Sequence, residues 1–96
     1  MKIRWTKKAD RSYQKILAYT VRNFGDTVAN SFIQRTFKLL DIIKENPLAY
    51  KVNEGSKHCN QALIVKSISM YYSIKKDEII IIAIWQNNRD PKSLVL

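Results

Sequence analysis

The sequence predicts an α+β fold, and three observations predict it. Apolar residues recur at helical spacing between Lys7 and Asn46. From Ala62 to Trp85 they alternate or run continuously, as in strands. A short alternation, Lys2-Ile3-Arg4-Trp5, precedes both. The order is β-α-α-β-β-β: an N-terminal strand and a helical hairpin packed on a small, mainly antiparallel sheet. The 96 residues predict one domain, 1–96, around a single modest core.

Each element has a local reason. Ile3 and Trp5 share one face of the first strand. Thr6 follows, and its hydroxyl can accept an orphan N–H at the start of a helix. Ala9, Tyr13, Ile16, Leu17, Thr20 and Phe24 line one side of that helix. Gly25 suits a left-handed C-terminal cap, and Asp26 can cap the next helix. The second helix is predicted over Thr27 to Asn46. Ala29, Phe32, Ile33, Thr36, Leu40 and Ile43 face one side of it. Val28, Phe37, Leu39 and Ile42 widen the apolar surface and predict burial on more than one side. Pro47 lacks an N–H and disfavours helical backbone at Asn46, so the helix stops there. Phe24-Gly25-Asp26 leaves room only for a tight helical hairpin.

Residues 48–60 show no period and read as a loop. Ala62 to Val65 is a short apolar strand. Ile68, Met70, Tyr72 and Ile74 then alternate with Ser69, Tyr71, Ser73 and Lys75, which predicts a half-buried strand with Tyr72 inward. Lys75-Lys76-Asp77-Glu78 is a polar turn. Ile79 to Trp85 is an unbroken apolar run, rich in β-branched residues, and predicts a strand covered on both faces. It stops at Gln86-Asn87-Asn88-Arg89-Asp90-Pro91. A polar cluster on the end of a rigid strand is a suitable place for binding.

Charge narrows the partners. Seventeen Lys and Arg oppose eight Asp and Glu, leaving +9 at neutral pH. Such an excess attracts nucleic acid, anionic lipid or an acidic protein. Lys51, Lys57, Lys66, Arg89 and Lys92 are candidates for a basic patch around the open face of the sheet. Arg89 can grip a carboxylate or phosphate through two parallel bonds, or pair locally with Asp90. Gln86, Asn87 and Asn88 supply amides beside it. Tyr71 either stacks on a base or packs beneath the C-terminal tail.

Other chemistries lack parts. The lone cysteine, Cys59, has no disulfide partner in the chain. His58-Cys59 has no second His or Cys to complete a metal site, so neither metal nor cofactor is expected. Nothing supplies Cys59 with an evident base. His58 reads as a solvated loop residue, with a stray acid–base role the alternative. MKIRWTKKAD lacks an apolar signal core, and the Ile run is too short to cross a bilayer as a helix. A cytoplasmic protein without membrane contact is expected.

Three segments, WTKKADRSYQKILAYTVRNFG, SISMYYSIKKDEIIIIAIW and NNRDP, resemble the RelE/ParE superfamily of toxins from type II toxin–antitoxin pairs. The resemblance covers nearly the whole chain and is closest to the ParE-like branch. It implies a toxin held inactive by a small antitoxin encoded beside it, whose C-terminal segment folds onto the toxin. An acidic disordered segment would be steered to a +9 surface. One branch of the superfamily cuts messenger RNA on the ribosome. The other poisons DNA gyrase. The cleaving branch commonly carries an Arg near the start of the second strand and a His or Tyr near the end of the last. Here those places read Asn60-Gln61-Ala62-Leu63 and Gln86-Asn87-Asn88. Amides hydrogen-bond but do not titrate near neutral pH.

The expectation is therefore a ParE-like toxin without catalytic residues, which binds DNA gyrase and is neutralised by an acidic antitoxin. The alternatives are a ribosome-dependent messenger RNA endonuclease with displaced basic groups, and a non-toxic partner-binding module of the same fold. Arg89→Ala should weaken growth arrest while circular dichroism stays unchanged. Undiminished arrest at matched expression removes Arg89 from the site.

Overall fold

The computed structural model describes residues 1–50 and 59–87. Its elements are β1 (Lys2–Trp5), α1 (Lys7–Glu45), β2 (Asn60–Val65), β3 (Ile68–Lys75) and β4 (Glu78–Gln86). The helical segment is continuous in sequence but not straight. Gly25 sits at φ 86° and ψ 176°, which divides α1 into arms 7–24 and 26–45. The Tyr13 and Phe32 rings stack with centroids 5.2 Å apart. The Tyr13 hydroxyl lies 3.1 Å from Thr36 Oγ1, which in turn donates to the Phe32 carbonyl at 2.8 Å. A straight helix would separate Tyr13 from Phe32 by about 29 Å. The chain therefore reverses at Gly25, and the predicted hairpin forms. The second arm ends at Glu45. Asn46 has left helical geometry, and its N–H donates to the Ile42 carbonyl at 3.0 Å. Pro47 follows, as the stop signal required.

The sheet order is β1-β4-β3-β2. β1 runs parallel to β4, with Lys2 opposite Glu78 and Trp5 opposite Ile81. The other pairs are antiparallel. A tight turn joins β3 to β4, with Lys76 at a left-handed φ of 56°. The hairpin covers one face of this sheet. Between them lies the core: Ala9, Tyr13 and Ile16 from the first arm, Phe32, Leu40 and Ile43 from the second, and Met70, Tyr72, Ile79, Ile81 and Ile84 from the strands. Trp5 packs edge-on against Tyr13 at 5.4 Å and extends the row of rings. No helix among the described residues is long and apolar enough to cross a membrane.

Several expectations need correction. The isoleucine strand is not covered equally on both faces. Ile79, Ile81, Ala83 and Ile84 are buried, whereas Ile80 and Ile82 are partly exposed. A bulge explains the broken alternation. Tyr72 pairs with Ile81 while its neighbour Tyr71 pairs with Ala83, so Ile82 is the extra residue. The bulge shifts the phase, and Ile84 then reaches the same core as Ile79 and Ile81.

β3 is more deeply set than a half-buried strand. Ser69 and Tyr71 alternate with the core residues Met70 and Tyr72, yet are only 0% and 4% exposed. β3 is an inner strand, bonded on both sides. Phe24, Val28, Phe37 and Ile42 are exposed, although the sequence places them on apolar helix faces. The sheet supports the hairpin on one side only, so these four residues, off the Ala29-Phe32-Thr36-Leu40-Ile43 stripe, face outward, whereas Leu39 beside it still reaches the core. Phe24 instead meets Tyr19 edge-on at 6.3 Å. β2 begins at Asn60, two positions before the predicted Ala62. The Asn60 amide donates to the Tyr50 carbonyl at 2.9 Å, which anchors that start.

Two measurements follow from this geometry. Backbone at φ 86° and ψ 176° is open essentially to glycine alone, and a Cβ added at Gly25 meets nothing within 4 Å. Gly25→Ala should therefore lose about 1–3 kcal/mol of stability, from backbone strain rather than a clash, in chemical denaturation. The second concerns Tyr72, whose hydroxyl donates to the Pro47 carbonyl at 2.8 Å. Burial, and then the nearby Tyr50 phenol, pushes its pKa from 10.0 up to about 12. The folded state thus favours the neutral phenol. That contribution is complete below pH 10.0 and is lost as pH rises toward about 12. Unfolding free energy should fall across this window, and Tyr72→Phe should flatten part of the fall.

Candidate functional site

β4 is nine residues long and β1 only four. β1 therefore flanks β4 only from Glu78 to Ile81. The remaining edge meets the first helical arm, and Thr6 makes the join. Its N–H donates to the Ile81 carbonyl at 3.0 Å. Its hydroxyl lies 3.0 Å from the carbonyl oxygens of both Ile81 and Ile82. The same oxygen accepts the Ala9 N–H at 3.1 Å, which is the cap the sequence predicts. Farther along the helix, Ser12 Oγ accepts the Ile84 N–H at 3.1 Å and donates to the Lys8 carbonyl at 2.9 Å. A side-chain hydroxyl thus stands where a longer β1 would have supplied a carbonyl.

Because helix replaces strand here, a cleft of ≈ 440 Å³ opens beside the end of β4. Ala83, Ile84, Trp85 and Gln86 form one side of it. Lys8, Arg11, Ser12, Lys15, Ile16 and Tyr19 form the other. The three cations stand at i, i+3 and i+7 and so share one edge of the helix. No acidic side chain is among the described residues that line the cleft. A second hollow of ≈ 420 Å³, with Arg35, Lys38, Ile42, Tyr50 and Leu63 on its walls, flanks the edge strand β2.

The residues singled out from the sequence go to different places. Gln86 lines the first cleft. Asn87 is a brace that pins the end of β4 to the β2–β3 turn. Its N–H donates to the Ser67 carbonyl at 2.8 Å and its amide to the Lys66 carbonyl at 3.3 Å. Its Oδ1 accepts from the Ser69 hydroxyl at 2.7 Å, and Ser69 Oγ accepts from the Gln61 amide at 2.9 Å. Lys66 and Asn87 are therefore brought together, with Lys66 exposed on the turn. Tyr71 is buried and offers no open platform for a base. Lys51, Lys57, His58, Asn88, Arg89 and Lys92 lie outside the described residues. Cys59 is buried, so its thiol is not presented to solvent.

Sequence reasoning missed Lys8, Arg11, Lys15, Tyr19 and Trp85 as a group. Part of the signal was present. The three cations have helical spacing and border the Ala9-Tyr13-Ile16 stripe. What places them opposite Trp85 is the parallel pairing of the short β1 with β4, which no local pattern reveals.

Burial raises the pKa of Tyr13, partly offset by its bond to Thr36. Tyr72 is pushed up to about 12. Both phenols move away from the range where a general base works. Among the described residues, no three His, Cys, Asp or Glu side chains gather to hold a metal ion.

The sequence profile of the family described as "ParE toxin of type II toxin-antitoxin system, parDE" matches residues 3–91. No curated protein matches the chain. Among solved structures, the chain is similar to one from the chromosomal ParDE toxin–antitoxin system of P. aeruginosa. The two are 19% identical, the match covers 90% of this chain and 95% of the other, and the TM-score is 0.75. The isolated E. coli RelE toxin is 18% identical, with 95% and 88% covered and a TM-score of 0.61. A chain of the heterotetrameric YoeB–YefM toxin–antitoxin complex from Staphylococcus aureus is 15% identical, with 86% and 92% covered and a TM-score of 0.60. These likenesses establish the shared fold.

The join between Ser12 and β4 is open to test. Ser12→Ala leaves the Ile84 N–H without its acceptor and should cost about 1–3 kcal/mol. Hydrogen exchange should show the Ile84 amide less protected than in the wild type, with the β3–β4 turn unchanged. Equal protection in both proteins contradicts the assignment.

Proposed function

The chain belongs to the family of ParE toxins of type II toxin–antitoxin systems, and from that premise we propose that it arrests growth by binding DNA gyrase and is neutralised by a cognate acidic antitoxin. The observation that carries the choice of binding over cleavage concerns the two places where the RNA-cutting branch keeps its reactive groups. At the start of β2, the Asn60 amide is committed to the Tyr50 carbonyl and the Gln61 amide to Ser69. At the end of β4, Asn87 is committed to Lys66, Ser67 and Ser69. These amides hold strands together, and none titrates near neutral pH.

In this reading the protein acts through surface and charge. The net charge of +9 draws in acidic partners and speeds their encounter, more so at low salt. Lys66 and Gln86, with Lys51, Lys57, Asn88, Arg89 and Lys92 from the remaining sequence, contact the target or the antitoxin. An antitoxin segment that folds on binding covers a large area with few residues. Its acidic side chains meet a complementary potential, which favours rapid capture over competing partners. No membrane, metal or cofactor takes part, and both partners place the action in the cytoplasm.

Purified chain should inhibit DNA supercoiling by gyrase and leave translation by purified ribosomes intact. Adding the product of the neighbouring small gene should restore supercoiling. Ribosome-dependent cutting of messenger RNA, with gyrase unaffected, overturns the proposal in favour of the endonuclease reading. No effect in either assay points to a partner-binding module without toxicity.

A further inference from the structure

We propose that the outward side of the first helical arm is a docking surface for duplex DNA, which it holds by the phosphate backbone. The inference goes beyond the action on gyrase and does not depend on it.

Four exposed cations make the surface: Lys7, Arg11, Lys15 and Arg22. They stand four, four and seven positions apart. At 3.6 residues per turn these offsets return to nearly the same direction, so the four stay within an arc of about 80°. Together they form a row about 22 Å long. Ala18 falls inside the arc and Gln14 at its margin, and both are exposed. Ala9, Tyr13, Ile16 and Thr20 are buried on the opposite side of the arm. The row therefore faces away from the core.

The charges of the row are unanswered within the chain. No acid stands three or four positions from Arg11 or Lys15. None of the four cations pairs with an acidic side chain among the described residues. Neighbouring like charges on a helix repel, and a polyanion laid along the row removes that repulsion. The two arginines can each take phosphate oxygens through a planar fork, and the lysines act as point charges.

Composition decides between partners. A protein partner is held by buried apolar and aromatic anchors, and lysine is depleted at the centre of such contacts. The row offers lysine and no anchor. A single-stranded nucleic acid needs rings on which its bases stack. The nearest ring, Tyr19, lies off the row and meets Phe24 edge-on at 6.3 Å. Duplex RNA is read largely through its 2′-hydroxyls across a wide minor groove, and a narrow row of cations does not span one. Duplex DNA presents a stiff, dense line of phosphates, and surfaces that bind it are polar and strongly basic.

The test is an anisotropy titration of a fluorescent DNA duplex, two helical turns long, with the purified full chain between about 50 and 200 mM salt. Binding should saturate and weaken as salt rises. An Arg11→Gln/Lys15→Gln/Arg22→Gln variant should bind at least about tenfold more weakly at about 100 mM salt. Its plot of log affinity against log salt should be shallower by about 2.7, for three lost phosphate contacts. The single variants Arg11→Gln and Arg22→Gln should each flatten the plot by about 0.9, so the test stands even if the triple variant fails to fold. Arg35→Gln/Lys38→Gln/Lys44→Gln removes the same charge from exposed positions of the second arm. It should change the slope by less than about 0.9. Thermal unfolding establishes which variants are folded. Duplex RNA and single-stranded DNA of the same sequence should bind more weakly than duplex DNA. Equal losses in the two triple variants overturn the proposal, because binding then follows overall charge and not the row. So does unsaturable binding of duplex DNA by the wild type, or tighter binding of the RNA or the single strand. Neither gyrase nor ribosome is present, so failure here leaves the gyrase reading standing.

Discussion

Thr6 ties the first turn of the helical layer to the carbonyls of Ile81 and Ile82, and the rest of the architecture depends on that join. It fixes where the helix begins and in which rotation. Rotation sends Ala9, Tyr13 and Ile16 into the core and leaves Lys8, Arg11 and Lys15 at the edge of β4. Tyr13 then meets Phe32 and Thr36 of the returning arm. That meeting is possible only because Gly25 adopts backbone that other residues resist. A four-residue β1 and a bulged nine-residue β4 complete the arrangement. Where β1 ends, the helix takes over the strand edge through Ser12, and the cleft is the space left by that substitution.

Much of this was legible in the sequence, for identifiable reasons. Thr6, Gly25 and Pro47 each carry a strong backbone preference, so the helical hairpin and its limits could be read locally. The alternation from Ile68 to Ile74 marked β3. The isoleucine run was legible as a strand but not as a bulged one. Seven apolar residues in succession give no period from which a phase change can be detected. Exposure of Phe24, Val28, Phe37 and Ile42 was also hidden, because helical spacing says which residues share a face but not whether anything covers it. Of the residues singled out from the sequence, Gln86 lines the cleft and Asn87 braces the end of β4. The basic edge of α1 was overlooked. Its meaning depends on the nearness of Trp85, which lies far along the chain and is brought close by the parallel pairing of β1 with β4.

The same features bear on function. The amides at the ends of β2 and β4 are hydrogen-bonded into the sheet, and the buried phenols of Tyr13 and Tyr72 are harder to ionise than free tyrosine. Cations are distributed over the helical edge and the β2–β3 turn, and Lys51, Lys57, Arg89 and Lys92 of the remaining sequence stand beside only two acids, Glu54 and Asp90. In the proposed function the fold works by capture, with specificity in shape and in the placement of cations, and with the antitoxin acting by covering them.

In the proposed function, capture rather than scission of RNA arrests growth. It is tested most directly by mapping nucleic-acid ends in cells during induction of the chain. Capture of gyrase predicts chromosomal breaks covalently linked to gyrase, with the 5′ ends of transcripts unchanged. New transcript ends phased to codons on translating ribosomes, without such breaks, would contradict it.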